Sequence, residues 1–60
     1  MRFQEIEQII KKDGWTLKNI EGSHYQYVHA SKKGKVTIPY RNKDLHHYTI
    51  KSILKQAGIK

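Results

Sequence analysis

Two apolar stripes with helical spacing, one at each end of the chain, constrain the fold more than any other feature. The stripe near the C-terminus has the i, i+3, i+4, i+7 spacing of one α-helix face and consists of Ile50, Ile53, Leu54 and Ala57. The stripe near the N-terminus consists of Phe3, Ile6, Ile9 and Ile10. Each predicted helix has one apolar face to bury, so the segment between them must supply a surface that both can cover.

The residues that follow and precede these stripes predict the helix ends. Gly14 can adopt the left-handed conformation that often ends a helix, here after roughly three turns. Thr49 is the predicted N-cap of the second helix, and a start one or two residues earlier is the alternative. Gly58 followed by the apolar Ile59 predicts a Schellman-type end.

The segment between the helices alternates in the manner of short β-strands. Three strands are predicted, at residues 15–20, 23–29 and 35–38. Glu21 and Gly22 form a tight turn between the first two strands, and Pro39 ends the third. In the second strand, alternation separates His24, Gln26 and Val28 from a face formed by Ser23, Tyr25, Tyr27 and His29.

The order of these elements predicts an α+β fold of the type α-β-β-β-α. A three-stranded antiparallel sheet would carry both helices on one face and leave the other face free. Residues 1–60 are expected to form one domain with a thin core, because a chain of this length buries only about 60% of its unfolded surface.

The chain has no cysteine, which excludes disulfides and thiolate metal sites. Its apolar runs are too short to span a bilayer, and the N-terminus lacks the apolar core of a signal peptide. We therefore expect a cytoplasmic protein that does not act in a membrane.

Positive charge is the strongest functional signal in the composition. Twelve lysines and arginines against five aspartates and glutamates give a net charge of +7. Such a charge favours an anionic partner of one of three classes: nucleic acid, an acidic protein or an anionic membrane surface. A basic soluble domain without a particular ligand is the alternative, although solubility requires less charge.

Several motifs recur in a characteristic order along the chain. They are Gly14-Trp15, then Gly22-Ser23-His24 followed by Tyr27 and His29, then the segments 34–39, 43–45 and 53–58. As a set, these motifs resemble those of the HicA family of mRNA-cleaving toxins, and the resemblance covers nearly the whole chain. Residues 46–48, His-His-Tyr, depart from the family pattern, in which a more neutral turn that often contains glycine is expected.

The resemblance implies a compact domain similar to double-stranded RNA-binding domains. It also implies ribonuclease activity on mRNA without a cofactor, growth inhibition, and neutralisation by a HicB antitoxin. The catalytic histidine of the family lies in the Gly-Ser-His motif, which corresponds to His24 here.

His24 also suits RNA cleavage on chemical grounds. RNA carries its own nucleophile, the 2′-OH, so the protein has to supply proton transfer and charge stabilisation rather than a metal. Histidine titrates near neutral pH and serves as base or acid. Gly22 and Ser23 precede His24, and a glycine at the turn leaves room for a phosphate group.

Lysines and tyrosines are the other candidates for substrate binding. Lys33 and Lys35, together with Lys18, are candidates to hold the RNA backbone. Tyr25 or Tyr40 is a candidate to stack on a base or donate a hydrogen bond.

The remaining conspicuous residues are expected to be structural. Trp15 and Tyr27 are predicted to pack in the core, and His29 is expected to support the sheet rather than to contact RNA. The adjacent His46 and His47 are expected to point apart, and no third ligand lies nearby, so no metal site is predicted.

Two other functions are compatible with the sequence. One is a non-catalytic RNA-binding module of the same fold, and the other is a protein-interaction domain whose basic surface meets an acidic partner. The position of His24 directly after Gly22-Ser23 favours the ribonuclease, because binding alone does not require it.

Overall fold

Two helices flank three antiparallel strands along the chain, as the apolar patterns predict. The structure, a computed structural model, describes residues 1–59. Its elements are α1 (Phe3–Lys12), β1 (Trp15–Glu21), β2 (His24–His29), β3 (Val36–Pro39) and α2 (His47–Ala57). The strands form one antiparallel sheet in the order β1-β2-β3. The predicted α+β fold of order α-β-β-β-α is confirmed.

The core lies between one face of the sheet and the two helices. The helices contribute Phe3, Ile6, Ile10, Ile53 and Ala57, the strands contribute Trp15, Tyr27, Val36 and Ile38, and the loop before α2 contributes Leu45. Each fully buried aliphatic or aromatic side chain stabilises the fold by roughly 1.5–3 kcal/mol. With so few of them, polar contacts at the edges of the core carry more weight than they do in a larger domain.

The register of the strands fixes which side chains face the helices. Tyr27 pairs with Val36 on the helix-covered face, whereas His24 pairs with Pro39 on the opposite, open face. The alternation predicted for β2 is therefore confirmed from His24 onward. Ser23 lies in the turn instead of the strand.

A β-bulge interrupts β1 at Lys18. Leu17 pairs with Tyr27 and Asn19 pairs with the next residue, Gln26, so Lys18 is the extra residue on its strand. Because of this shift, Ile20 returns to the helix-covered face together with Leu17. Both lie near the margin of the helices, and they remain 41% (Leu17) and 49% (Ile20) exposed.

The start of α2 differs from the prediction. The N-cap is His46, whose Nδ1 accepts a hydrogen bond from the backbone N–H of Tyr48 at 3.2 Å. The prediction of Thr49 as N-cap was wrong, because the imidazole of His46 supplies the acceptor three residues earlier. The predicted Schellman end is confirmed: Gly58 has φ 70°, and the N–H of Ile59 donates to the carbonyl of Leu54 at 2.9 Å.

A polar cluster of Asp13, His29 and Lys32, here named the clasp, joins the C-terminal ends of both helices to β2. The Nδ1 of His29 accepts from the backbone N–H groups of Ser31 (2.9 Å) and Lys32 (3.1 Å), so its Nε2 donates to the carbonyl of Asp13 at 2.6 Å. The ammonium group of Lys32 donates both to the Asp13 carboxylate and, at 2.9 Å, to the carbonyl of Ala57. These contacts give His29 the structural role expected from the sequence.

Gly14 is required for the clasp to close. Its φ is +105°, and a Cβ added there would lie 2.6 Å from Nε2 of His29. A side chain at this position would therefore push His29 away from Asp13.

Tyr27 crosses the core and ends on α1. Its hydroxyl donates to a carboxylate oxygen of Glu7 at 2.5 Å, and Glu7 is also 3.6 Å from the ammonium group of Lys11. Burial raises the pKa of Tyr27 well above its ordinary range, and the hydrogen bond to Glu7 raises it further. The predicted core positions of Tyr27 and Trp15 are confirmed.

The clasp predicts that the two histidines of β2 differ in their effect on stability. The His29→Ala variant leaves one carbonyl and two N–H groups without their partner, and we expect it to lower the free energy of unfolding by about 1–2 kcal/mol. The His24→Ala variant removes an exposed side chain and is expected to change it by less than about 0.5 kcal/mol. Urea unfolding of both variants measures the difference, and equal midpoints would contradict a stabilising role for His29.

The clasp also predicts an acid-dependent contribution to stability. The hydrogen bond from Lys32 holds the pKa of Asp13 below the ordinary value of 3.8. Because the folded-state pKa is the lower one, this contribution is complete above the unfolded-state pKa and is lost as pH falls through the folded-state pKa. We expect the Asp13→Asn variant to lose less stability than the wild type over that acidic range.

Urea midpoints measured at a series of pH values test this expectation. Asp44→Asn is the matched control, because Asp44 is 75% exposed and its two ionic contacts are at 3.9 and 4.0 Å. If the wild type and Asp13→Asn respond identically to acid, the Asp13–Lys32 pair does not couple folding to pH.

Candidate active site

His24 is the first residue of β2 and directly follows a two-residue turn. Glu21 and His24 pair across the end of the hairpin, so Gly22 and Ser23 alone form the loop. Gly22 has φ +60°, and among residues 1–59 no non-glycine residue has a positive φ, which is the pattern of a type II′ turn. A Cβ added at Gly22 would meet no atom within 4 Å, so the space around the turn is open, as predicted.

The His24 side chain is exposed on the face of the sheet that the helices do not cover. Within residues 1–59, no hydrogen bond or ion pair engages its ring. Its two ring nitrogens are therefore available to a ligand. By contrast, both ring nitrogens of His29 are occupied in the clasp.

A carboxylate lies beside His24 on the open face. Cross-strand partners have Cβ atoms roughly 5 Å apart, which brings Glu21 next to His24. One oxygen of Glu21 accepts from the side-chain amides of Gln26 (2.8 Å) and Asn19 (3.2 Å), which fix its position. The sequence predicts Glu21 as a turn residue, and this was wrong: the turn is Gly22-Ser23, and Glu21 ends β1 as the cross-strand partner of His24.

Lys33 and Lys35 lie at the other end of the sheet. β3 is antiparallel to β2, with Pro39 opposite His24 and Val36 opposite Tyr27. Lys35 precedes Val36 and is roughly 13 Å along the strand from the level of His24, and Lys33 lies farther back in the loop. The structure does not bring these two lysines together with His24.

Lys18 is closer to His24 than the loop lysines are. The bulge places it next to Asn19, which pairs with Gln26, two residues along β2 from His24. Its side chain is exposed. Lys18 is therefore the lysine of the three candidates that lies nearest to the level of the open-face polar residues.

The two candidate tyrosines stack on each other but differ in exposure. Tyr25 is half-buried on the helix-covered face, where its ring packs edge-on against Phe3 with centroids 4.8 Å apart. It therefore lies on the opposite face from His24. Tyr40 is 48% exposed, and its backbone N–H donates to the carbonyl of Ser23 at 2.6 Å, which ties it to the turn.

A small cavity opens beside Tyr40. Its volume is about 60 Å³, and it is lined by Arg2, Phe3, Gln4, Tyr40, Arg41 and Asn42. The sequence identifies Tyr40 as a stacking candidate but assigns no role to Arg2 or Arg41. The sequence pattern does not locate these two arginines: Arg41 lies near the turn because β2 pairs with β3, and Arg2 lines the cavity from the N-cap of α1.

Comparison with protein families agrees with the motifs. The profile of the family described as HicA toxin of bacterial toxin–antitoxin systems matches residues 3–59. The chain belongs to the HicA toxin family. As a HicA toxin it is the toxin of a toxin–antitoxin pair and has an antitoxin as its partner. No curated protein matches the sequence.

The paired histidines of this HicA toxin pack against each other. Contrary to the expectation that they point apart, the rings of His46 and His47 are stacked with centroids 4.5 Å apart, and Tyr48 packs against both. His46 also caps α2 through Nδ1. Among residues 1–59, no group of three or more His, Cys, Asp or Glu side chains is arranged to hold a metal ion.

A search for membrane-spanning helices gives a negative result. Neither helix of the described part of this HicA toxin combines the length and the apolar character needed to cross a bilayer.

Proposed function

We propose that this HicA toxin is a metal-independent endoribonuclease that cleaves messenger RNA in the cytoplasm, with His24 as its general acid–base group. The observation that carries the proposal is the placement of His24: it is exposed on the open face, directly after the Gly22-Ser23 turn, and no group of residues 1–59 binds either ring nitrogen. Family membership supports the same reading.

The proposed reaction uses the 2′-OH of the RNA as nucleophile. Neutral His24 takes the proton of the 2′-OH as the oxygen attacks the adjacent phosphorus. The bond from phosphorus to the 5′-oxygen breaks, and that oxygen takes up a proton from solvent. The products are a 2′,3′-cyclic phosphate and a 5′-hydroxyl. Proton transfer by one positioned side chain accelerates such a reaction by about 10²–10⁴-fold.

The open turn is the proposed position of the reacting phosphate. Gly22 and Ser23 contact it, because they adjoin His24 and leave the space above the turn free. Lys18 contributes positive charge on the same side of the sheet. Lys33 and Lys35 contact RNA that extends along the strands away from the cleaved bond, and Tyr25 acts from beneath Tyr40, by supporting its ring.

The proposed antitoxin is a HicB protein. An antitoxin that covers the open face around His24 would exclude RNA from the site. The net charge of +7 favours an acidic surface on that partner. Residues 1–60 would act as one domain in both complexes.

The His24→Ala variant is expected to lose cleavage of single-stranded RNA by about 100-fold or more, because it lacks the proton acceptor. His47→Ala is the matched control, since it removes another exposed histidine at the start of α2 and is expected to retain cleavage. Gel analysis of RNA incubated with each purified protein measures the rates. If the wild type binds RNA but neither it nor His24→Ala cleaves, the protein is a non-catalytic RNA-binding module.

The use of the 2′-OH makes a separate prediction. Cleavage is expected to continue in EDTA and to stop when the nucleotide at the cleaved bond carries a 2′-O-methyl group. Mass spectrometry of the fragments should show a 2′,3′-cyclic phosphate or the 3′-phosphate derived from it. Fragments that end in a 3′-hydroxyl would falsify attack by the 2′-OH and point to an activated water.

A further inference from the structure

The end of β3 brings a cationic and aromatic surface to the side of the Gly22-Ser23 turn. Pro39 is the cross-strand partner of His24, and the next residue, Tyr40, donates its N–H to Ser23. Tyr40 and Arg41 therefore run alongside the turn, at the end of the sheet where His24 lies.

We propose that Arg2, Tyr40 and Arg41 form a subsite for the nucleotide next to the cleaved bond, with its phosphate in the small cavity and its base on Tyr40. This inference rests on the proposed ribonuclease function and names how the substrate is held. In this proposal the subsite, rather than the loop lysines Lys33 and Lys35, is the main contact that holds the RNA.

The size and the lining of the cavity suit a phosphate. At about 60 Å³ it is far smaller than the roughly 300–1,000 Å³ of a site that encloses a whole small molecule. Two arginines, a glutamine and an asparagine are among its lining residues, and none of the lining residues is acidic. One guanidinium group can donate two parallel hydrogen bonds to the oxygens of a phosphate, and a side-chain amide can donate one more. This lining is therefore complementary to a phosphodiester.

The acidic neighbour of Arg2 does not neutralise the subsite. Asp44 is 3.9 Å from Nε of Arg2 and 4.0 Å from the N-terminal amine, and it is 75% exposed. Such long, exposed pairs are weak. A phosphate that enters the cavity can therefore compete for the guanidinium group of Arg2.

Tyr40 has the support that a stacking platform needs. Its ring lies over Tyr25 with centroids 5.8 Å apart and planes inclined by 28°, and Phe3 packs edge-on against it at 5.1 Å. These contacts hold the ring in place while it stays 48% exposed. A base that stacks on a fixed aromatic ring binds at little entropic cost, and removal of such a ring weakens binding about tenfold.

RNA binding measured with a non-cleavable ligand tests the subsite. The probe is a fluorescent single-stranded oligonucleotide with 2′-O-methyl groups throughout, titrated with the full chain at several salt concentrations. Arg41→Gln is expected to weaken binding about tenfold and to lower the slope of log affinity against log salt by about one. Tyr40→Ala is expected to weaken binding about tenfold without a change in slope, and Tyr40→Phe is expected to restore it.

The matched controls remove the same charge elsewhere. Lys55 lies in the last turn of α2, at the end of the sheet where the clasp is. The Lys55→Gln variant is expected to bind the probe with the same affinity as the wild type. The Lys33→Gln/Lys35→Gln double variant is expected to lose less affinity than Arg41→Gln alone. Urea midpoints equal to the wild type show that each variant is folded.

The outcomes separate this proposal from the ribonuclease proposal. If the lysine double variant loses more affinity than Arg41→Gln, or if Arg41→Gln and Tyr40→Ala both bind normally, the subsite is wrong even when the wild type cleaves RNA. If binding depends on Arg41 and Tyr40 but the wild type does not cleave, the subsite is supported and the ribonuclease proposal fails. In a cleaving enzyme, Arg41→Gln should raise KM more than it lowers kcat.

Discussion

The ammonium group of Lys32 ties together the ends of both helices, because it binds the Asp13 carboxylate after α1 and the Ala57 carbonyl at the end of α2. A chain with so few buried side chains depends on such contacts to hold its layers in register. The clasp also makes the two ends of the sheet different. One end of the sheet is fixed by polar contacts within the chain, whereas the other end presents His24, Tyr40 and Arg41 to solvent.

Most of the fold follows from burial patterns that the sequence shows directly. The two helical stripes identify α1 and α2, and strand alternation places His24 and Tyr27 on opposite faces of the sheet. Each pattern predicts which side chains pack in the core. The start of α2 was missed because histidine is an unusual N-cap, so Thr49 looked like the better one. The bulge at Lys18 was missed because it depends on the pairing of two strands, and no local residue preference marks it.

The sequence predicts the candidate site less completely than it predicts the fold. The motif around His24 identifies one residue, but the groups beside it come from other parts of the chain. Lys33 and Arg41 are both basic loop residues, and nothing local distinguishes them. Only the antiparallel pairing of β2 with β3 puts Arg41 beside the turn and Lys33 at the far end. The rings of Tyr25 and Tyr40 stack on the same side of the sheet, and Tyr40 is the more exposed of the two.

The bulge in β1 bears on how copies of the protein behave toward one another. β1 is an outer strand, and an outer strand with an unbroken row of free N–H and C=O groups invites pairing with a strand of another molecule. Here the row is interrupted at Lys18, and the charged side chain would have to lose its water for two edges to meet. Leu17 and Ile20, both partly exposed on that strand, would otherwise favour such contact. The bulge and Lys18 therefore disfavour aggregation through β1 when the toxin is released from its antitoxin.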